Sequence, residues 1–318
     1  MTAPHISTFD VIRITSGATI KSSLRDRTVV LLAAMFIIMV LISAYLGWSA
    51  TNTVNHIYDA AVPAMKAQGL APAANPVGEM PPLSLFRNMV TYIALLGGLA
   101  SLVLGHQVVA VDRKSGVVPL WFSRPVTRTS LALGKIAAIA ATILGLLAVA
   151  ATINICTMML LPNLAVSGAV VAGLAKFYAV SALYMLAFAS LGTACATMCK
   201  TEAMALLVPV TIWLALTFIV PQLTSNIGPM AALNPLSANL EPPSGMFFTM
   251  TTSVLGPLSI AESFRYLASS ALDVLSGAGT TTTTTSALSS LIIANVLMCC
   301  AVILAFSRLD ANRSGYSD

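Results

Sequence analysis

Six stretches of this chain run for about the length of a bilayer crossing without one charged side chain. They are Thr28–Trp48, Asn88–Val111, Ile136–Leu161, Phe177–Cys199, Ala203–Pro221 and Ala287–Phe306. A helix needs about 20 apolar residues to cross the hydrocarbon. Once inside, its backbone must satisfy itself, which leaves helices and closed barrels as the only spanning structures. Barrel strands alternate polar and apolar residues. Here the apolar runs are continuous, so the sequence predicts an all-α membrane protein with six transmembrane helices. Only 8% of the residues are charged, against roughly 25% in a soluble domain. A water-facing surface cannot be covered with so few.

The first span is too long for the apolar core of a cleavable signal, and about 27 mixed residues precede it. It is expected to remain in the mature protein. Pro209 lies inside the fifth span, where its missing N–H predicts a kink.

Charge sets the orientation. With the N-terminus in the cytoplasm, inside segments carry Arg13, Lys21, Arg25, Arg27, Arg113, Lys114, Arg124, Arg128, Lys135, Lys200, Arg308 and Arg313. Outside segments carry only Lys66, Arg87, Lys176 and Arg265. Lys and Arg gather in cytoplasmic loops, so both termini are expected there, in a cell (inner) membrane. The predicted organisation is a cytoplasmic interface segment at 1–27, a six-span domain at 28–307 and a tail at 308–318. The net charge of +5 is then a topology signal, and no basic block interleaved with aromatics suggests nucleic acid.

Two external segments follow, 49–87 and 222–286. The first is polar and carries Pro63, Pro72, Pro76, Pro81 and Pro82, which predicts short pieces. In the second, Ser259 and Glu262 read as a capping box. Ile260, Phe264, Leu267, Ala271 and Val274 recur behind it at helical spacing. An amphipathic helix over 260–276 is predicted, lying on the outer membrane surface or roofing the bundle, with Ser263 and Ser270 toward its polar side. Gly277 suits its stop, and Thr280–Thr285 reads as a linker. The segment Ser7–Asp26 shows helical spacing of Phe9, Ile12, Ser16 and Ile20. Its Arg13, Lys21 and Arg25 suit the level of lipid headgroups.

Much chemistry is missing. None of the eleven carboxylates falls in the middle of a span, which disfavours a proton-driven carrier. The three histidines, His5, His56 and His106, stand far apart. No zinc helix, nucleophile elbow or paired intramembrane aspartate is present. Gly134-Lys135 is followed by Ile136, where a phosphate loop requires Ser or Thr. The chain is therefore expected not to be an enzyme and to hold no cofactor. Cys195 and Cys199, Met158 and Met159, and Met298, Cys299 and Cys300 are soft enough for Cu(I). They are also ordinary packing residues, and no metal is assigned to them.

One loop stands apart. Residues 112–135 collect Arg113, Lys114, Arg124, Arg128 and Lys135, and add Gly116, Pro119 and Pro125. Val117, Val118, Leu120, Trp121 and Phe122 form an apolar patch outside the spans. An aromatic anchor rimmed by cations is a reasonable protein docking surface, and Arg124 and Arg128 could pair with acids on a partner.

The order of residues in this loop resembles that of ABC-2-type permeases, the membrane subunits of ATP-binding-cassette transporters. There the second span runs into an acid, a glycine, an apolar helix, a proline-x-Ser/Thr-Arg element and a Gly-Lys opening the third span. Here these are Asp112, Gly116, Val118–Phe122, Pro125-Val-Thr-Arg128 and Gly134-Lys135. Asp112 replaces the commoner glutamate and Val117 the commoner threonine. The arrangement also somewhat resembles the permease of the nitrous-oxide-reductase maturation transporter.

The resemblance implies a permease worked by a separate ATPase subunit, acting as a homodimer or paired permease to export a substrate or transmit force to an external client protein. It implies that Asp112, Arg113, Gly116, Val118, Trp121, Phe122, Arg124, Pro125, Arg128 and Lys135 form the coupling element, with Lys200 and Glu202 as a second contact. An ATPase-independent carrier or channel, or a membrane assembly factor, remain the alternatives at this point.

Overall fold

The computed structural model describes residues 7–72, 74–122, 126–161, 167–226, 245–274 and 284–309, with the side chains of residues 79, 122 and 257 left aside. The described residues form helices and connecting turns, with no strands among them. Among the described residues, six helices are long and apolar enough to span a membrane: Arg27–Ala67, Pro82–Lys114, Arg128–Met159, Gly168–Met198, Glu202–Ser225 and Thr284–Ser307. They are called the first to sixth spans below.

Four of the predicted spans lie within these helices, and Ile136–Leu161 and Phe177–Cys199 overrun theirs by two residues and one at the C-terminal end; elsewhere the helices run further. The first is 41 residues, about 60 Å at 1.5 Å per residue, twice the roughly 30 Å of hydrocarbon. Residues 49–67, expected to form short pieces, extend it instead. Pro63 is accommodated there, and Thr51 and Thr53 back-bond to Gly47 and Ser49. Asn75 donates to Asn55 at 2.8 Å, tying the returning chain to this extension.

The packed heart of the bundle is the crossing of the second and fourth spans. A Cβ at Gly105 would overlap the Ala189 carbonyl oxygen, and one at Gly192 the carbonyl oxygen of Leu102. Thr193 Oγ1 donates to the Gly105 oxygen at 3.0 Å and to that of Ala189 at 2.8 Å. In lipid the hydrophobic effect does not drive helices together, so small residues that admit close backbone contact do that work.

Two spans change register through π turns, Ile93–Gly97 in the second and Ala215–Ile219 in the fifth. In the first of these, Gly98 N–H bonds Ile93 rather than Ala94. The released Ala94 oxygen accepts from the fully buried Tyr184 hydroxyl at 2.7 Å. In the fifth span the helix carries on in α form through Pro209, from Glu202 to Leu214. The irregular turn comes later, where Pro221 has no N–H for the Thr217 oxygen and Val220 N–H reaches back to Ala215.

At the end of the bundle away from the termini lies the predicted amphipathic helix, here called the roof helix. It spans Ile260–Ala271; positions 275 and 276 of the expected range, Gly277, and residues 280–283 of the expected linker fall outside the described residues. The helix is embedded rather than laid flat. Phe264 is fully buried, its ring stacked on Tyr184 at 4.4 Å, and Ser263, expected on the polar side, is buried too. Ser259 occupies the N-cap position but its side chain caps nothing. Glu262 turns away from the expected capping box and accepts from Thr224 at 3.0 Å and Ser225 at 2.6 Å, at the end of the fifth span. Arg265 lies 3.9 Å from the same carboxylate. Burial lowers its guanidinium from the ordinary value, and Glu262 opposes that shift.

One helix, Met246–Leu255, was not foreseen from the sequence. Thr251 and Thr252 fasten it to the fifth span by donating to the Leu223 and Thr224 oxygens at 2.8 and 2.9 Å.

Candidate functional site

The loop between the second and third spans sits at the end of the bundle where the chain also begins and where the sixth span finishes. Its geometry starts with the close of the second span. Gly116 has φ +68, the left-handed conformation that ends a helix and that glycine adopts without a Cβ penalty. Val117 N–H then reaches back to the Asp112 oxygen at 3.1 Å. The chain turns directly into the short helix Val118–Phe122.

Three charged residues at this end of the second span have distinct partners. Asp112 forms an ion pair with Lys135 of the third span, and Lys135 Nζ also donates to the Val108 oxygen at 3.0 Å. The Lys135 side chain is only 6% exposed, so the charge is held by these two contacts. Arg113 points the other way and is buried. It donates to the oxygens of Ala196 at 2.8 Å and Cys199 at 2.7 Å, closing the end of the fourth span. Cations suit a helix C-terminus, whose last carbonyls lack intrahelical partners. Lys114 pairs with Glu202 at 2.6 Å on the surface, joining this loop to the turn between the fourth and fifth spans, where Lys200 is exposed.

The short helix is rooted by its inner side. Val118 is fully buried. The Trp121 ring stacks on Phe306 of the sixth span at 6.1 Å, and Lys135 Nζ lies 5.6 Å from its centroid. Trp121 is thus half-buried inside its own chain. The outward side is Val117, Pro119 and Leu120, with Leu120 59% exposed. Arg128, the first residue of the third span, donates to the Ser307 oxygen at 2.6 Å. Arg124 and Pro125 lie outside the described residues, as does the side chain of Phe122.

The N-terminal helix Thr8–Ser23 packs against the base of the third span. A Cβ at Gly134 would stand 2.8 Å from Thr15, which accounts for the glycine preceding Lys135. Thr19, Ser22 and Ser23 of that helix line a small polar cavity with Asp112 and Lys135.

The structure therefore brings Asp112, Trp121 and Lys135 together and sends Arg113, Lys114 and Arg128 to neighbouring helix ends. Sequence reasoning missed Phe306 and Ser307. Their only signal was position, the last turn of the last span. Among the described residues no cluster of three or more His, Cys, Asp or Glu side chains is placed to hold a metal. One short helix is tied to the ends of the third and sixth spans and follows directly on the second, whose last turn is tied to the fourth through Arg113.

A family model described as ABC-2 family transporter protein matches residues 19–311. No curated protein matches the chain. The matched region takes in all six spans, the loop and the roof helix, and does not reach to the subfamily. The chain belongs to the ABC-2 transporter family, as a multi-pass membrane component of an ABC transporter.

Proposed function

We propose that this chain is the permease of an ATP-driven transporter in which a separate ATPase subunit docks on the helix Val118–Phe122. Two permeases work as a pair in the cell membrane, both termini of each facing the cytoplasm, and ATP hydrolysis drives export or transmits force to an external client. The positive-inside rule supports that orientation, because the loop-bearing end holds the basic residues. The observation that carries the coupling role is the rooting of the short helix. Its inner side is stacked on Phe306 and set against Lys135, while Val117, Pro119 and Leu120 face outward. A push on the outer side is then delivered to span ends, not absorbed in a slack loop. The Lys114–Glu202 pair carries it to the fifth span.

The test separates the two sides of the helix. The tagged chain is isolated from its own membranes and assayed for bound ATP hydrolysis. An apolar anchor at an interface is worth about 2 kcal/mol or more, or roughly thirtyfold in affinity. Leu120→Asp should lose the ATPase while the permease keeps its thermal stability. Trp121→Ala should lose both, since it strips the contact with Phe306. A full complement of ATPase on Leu120→Asp would overturn the coupling role. Substrate movement in liposomes holding the permease alone would favour an independent carrier.

A further inference from the structure

The helix Met246–Leu255 divides into three sectors. Phe248, Thr251 and Leu255 turn toward the bundle and are half-buried. Met246, Phe247, Met250 and Val254 form a second sector about a quarter-turn wide, and it is bare: their exposures are 83%, 59%, 65% and 69%. Thr249 and Ser253 form a third sector, also exposed but polar. No residue of the helix is buried. A soluble surface helix would place its large apolar residues inward. Here they point away from the protein, beside a polar strip that also points away.

Four further observations say what covers the apolar sector. The helix is tied to the last turn of the fifth span through Leu223 and Thr224, so it stands at the depth where a span leaves the hydrocarbon. It has 10 residues, about 15 Å of helix, too short to cross and of a length suited to an interfacial or re-entrant segment. No charged residue occurs between Glu241 and Glu262. The hydroxyls of the polar sector close on their own backbone, Thr249 on Gly245 at 3.0 Å and Ser253 on Met250 at 2.8 Å.

We infer that Met246–Leu255 is an interfacial helix whose partner is the bilayer itself, with Met246, Phe247, Met250 and Val254 immersed among acyl chains and Thr249 and Ser253 at the water edge. An apolar sector sunk into the headgroup–acyl boundary with a polar sector above it is how such helices bind. One link from this helix to the bundle runs through Thr224. The Thr224 oxygen accepts from Thr252, while the Thr224 hydroxyl donates to Glu262 of the roof helix. The roof helix in turn stacks Phe264 on Tyr184.

The inference rests on the chain spanning a bilayer and is independent of ATPase docking, which the pull-down tests alone. Single cysteines at Met250, Val254, Thr249 and Ser253, in a cysteine-free background, are labelled with a small fluorophore. Each variant is placed in nanodiscs of phosphatidylcholine and phosphatidylglycerol. Labels at 250 and 254 should be quenched by spin-labelled lipid and shielded from a water-soluble nickel chelate, and labels at 249 and 253 should show the reverse. Equal nickel access at 250 and 253 would overturn the inference. So would shielding of 250 from both quenchers, or ready cross-linking of 250 between two copies, because protein would then cover the sector. If the labelled variants unfold, Phe247→Trp in brominated-lipid nanodiscs gives the same readout. The emission that the new indole adds over the wild type's three tryptophans in unbrominated lipid should be lost in brominated lipid, and its persistence there overturns the inference.

Discussion

Lys135 reaches back across 23 residues of sequence to ion-pair with Asp112, so the two ends of the loop between the second and third spans are pinned to each other. The loop is therefore a closed tab on the second and third spans. The pinning is also costly to break on one side only. Removing one partner of a buried pair typically costs about 3–5 kcal/mol, whereas replacing both with apolar residues is often close to neutral. Asp112→Leu or Lys135→Met alone should lower thermal stability by that order. The double variant should recover most of it, because it leaves no orphaned charge. Equal losses in singles and double would mean that the pair has no coupling energy.

The Gly105–Gly192 crossing makes a sharper demand. A methyl group at either position meets backbone, which cannot rotate away. Gly105→Ala should force the second and fourth spans apart and break the Thr193 bond to the Gly105 oxygen. A loss of about 2 kcal/mol or more is expected, in the range of overpacked cores. Gly145, on the third span, has nothing within 4 Å of its Cβ position. Gly145→Ala should therefore stabilise by about 0.5–1 kcal/mol through helix propensity. Thermal unfolding of the two variants in one detergent checks the contrast.

The roof helix separates two serine-and-leucine neighbours. Leu267 is 6% exposed and Ser270 is on the surface. Leu267→Asp buries an unpaired carboxylate and should cost more than about 3 kcal/mol or abolish assembly. Ser270→Asp should stay within about 0.5 kcal/mol of wild type. Similar behaviour of the two would mean that the roof helix has no packed face.

Orientation is read with an impermeant thiol reagent on intact cells. Cysteines at Gly69 and Ser253, both exposed at the end away from the termini, should label, and one at Ser115 should not. The segments expected outside also include Ala73 and Gly279, which lie beyond the described residues. Labelling confined to Ser115 would place the basic end outside and reverse the proposed topology.

The six spans were legible because an uncharged run of 20 residues has few other uses. Their ends were not. Polar, proline-bearing residues 49–67 look like a loop, yet a helix already nucleated in the membrane propagates through them, adding one hydrogen bond per residue. The first π turn left no local mark: Ile93–Gly97 goes with the Tyr184 hydroxyl, 90 residues away. Glu262 satisfied the spacing of a capping box, but Thr224 and Ser225 offered two better-placed donors. At the site, the residue types were readable and their partners were not. Asp112 and Lys135 stood in a recognisable order without showing that they meet. Trp121 read as an outward anchor because nothing in its neighbourhood discloses Phe306. Arg113 looked like one more surface cation and is buried against two carbonyls.

The first helix has a consequence for motion. It continues without a break from Arg27 to Ala67 and starts three residues after the helix that rests on Gly134 and lines the cavity at Lys135. A stiff rod of about 60 Å sweeps its far tip by roughly 1 Å for each degree that it leans. Small rearrangements around the Asp112–Lys135 pair thus have a ready-made pointer, whose tip lies at the far end of the bundle.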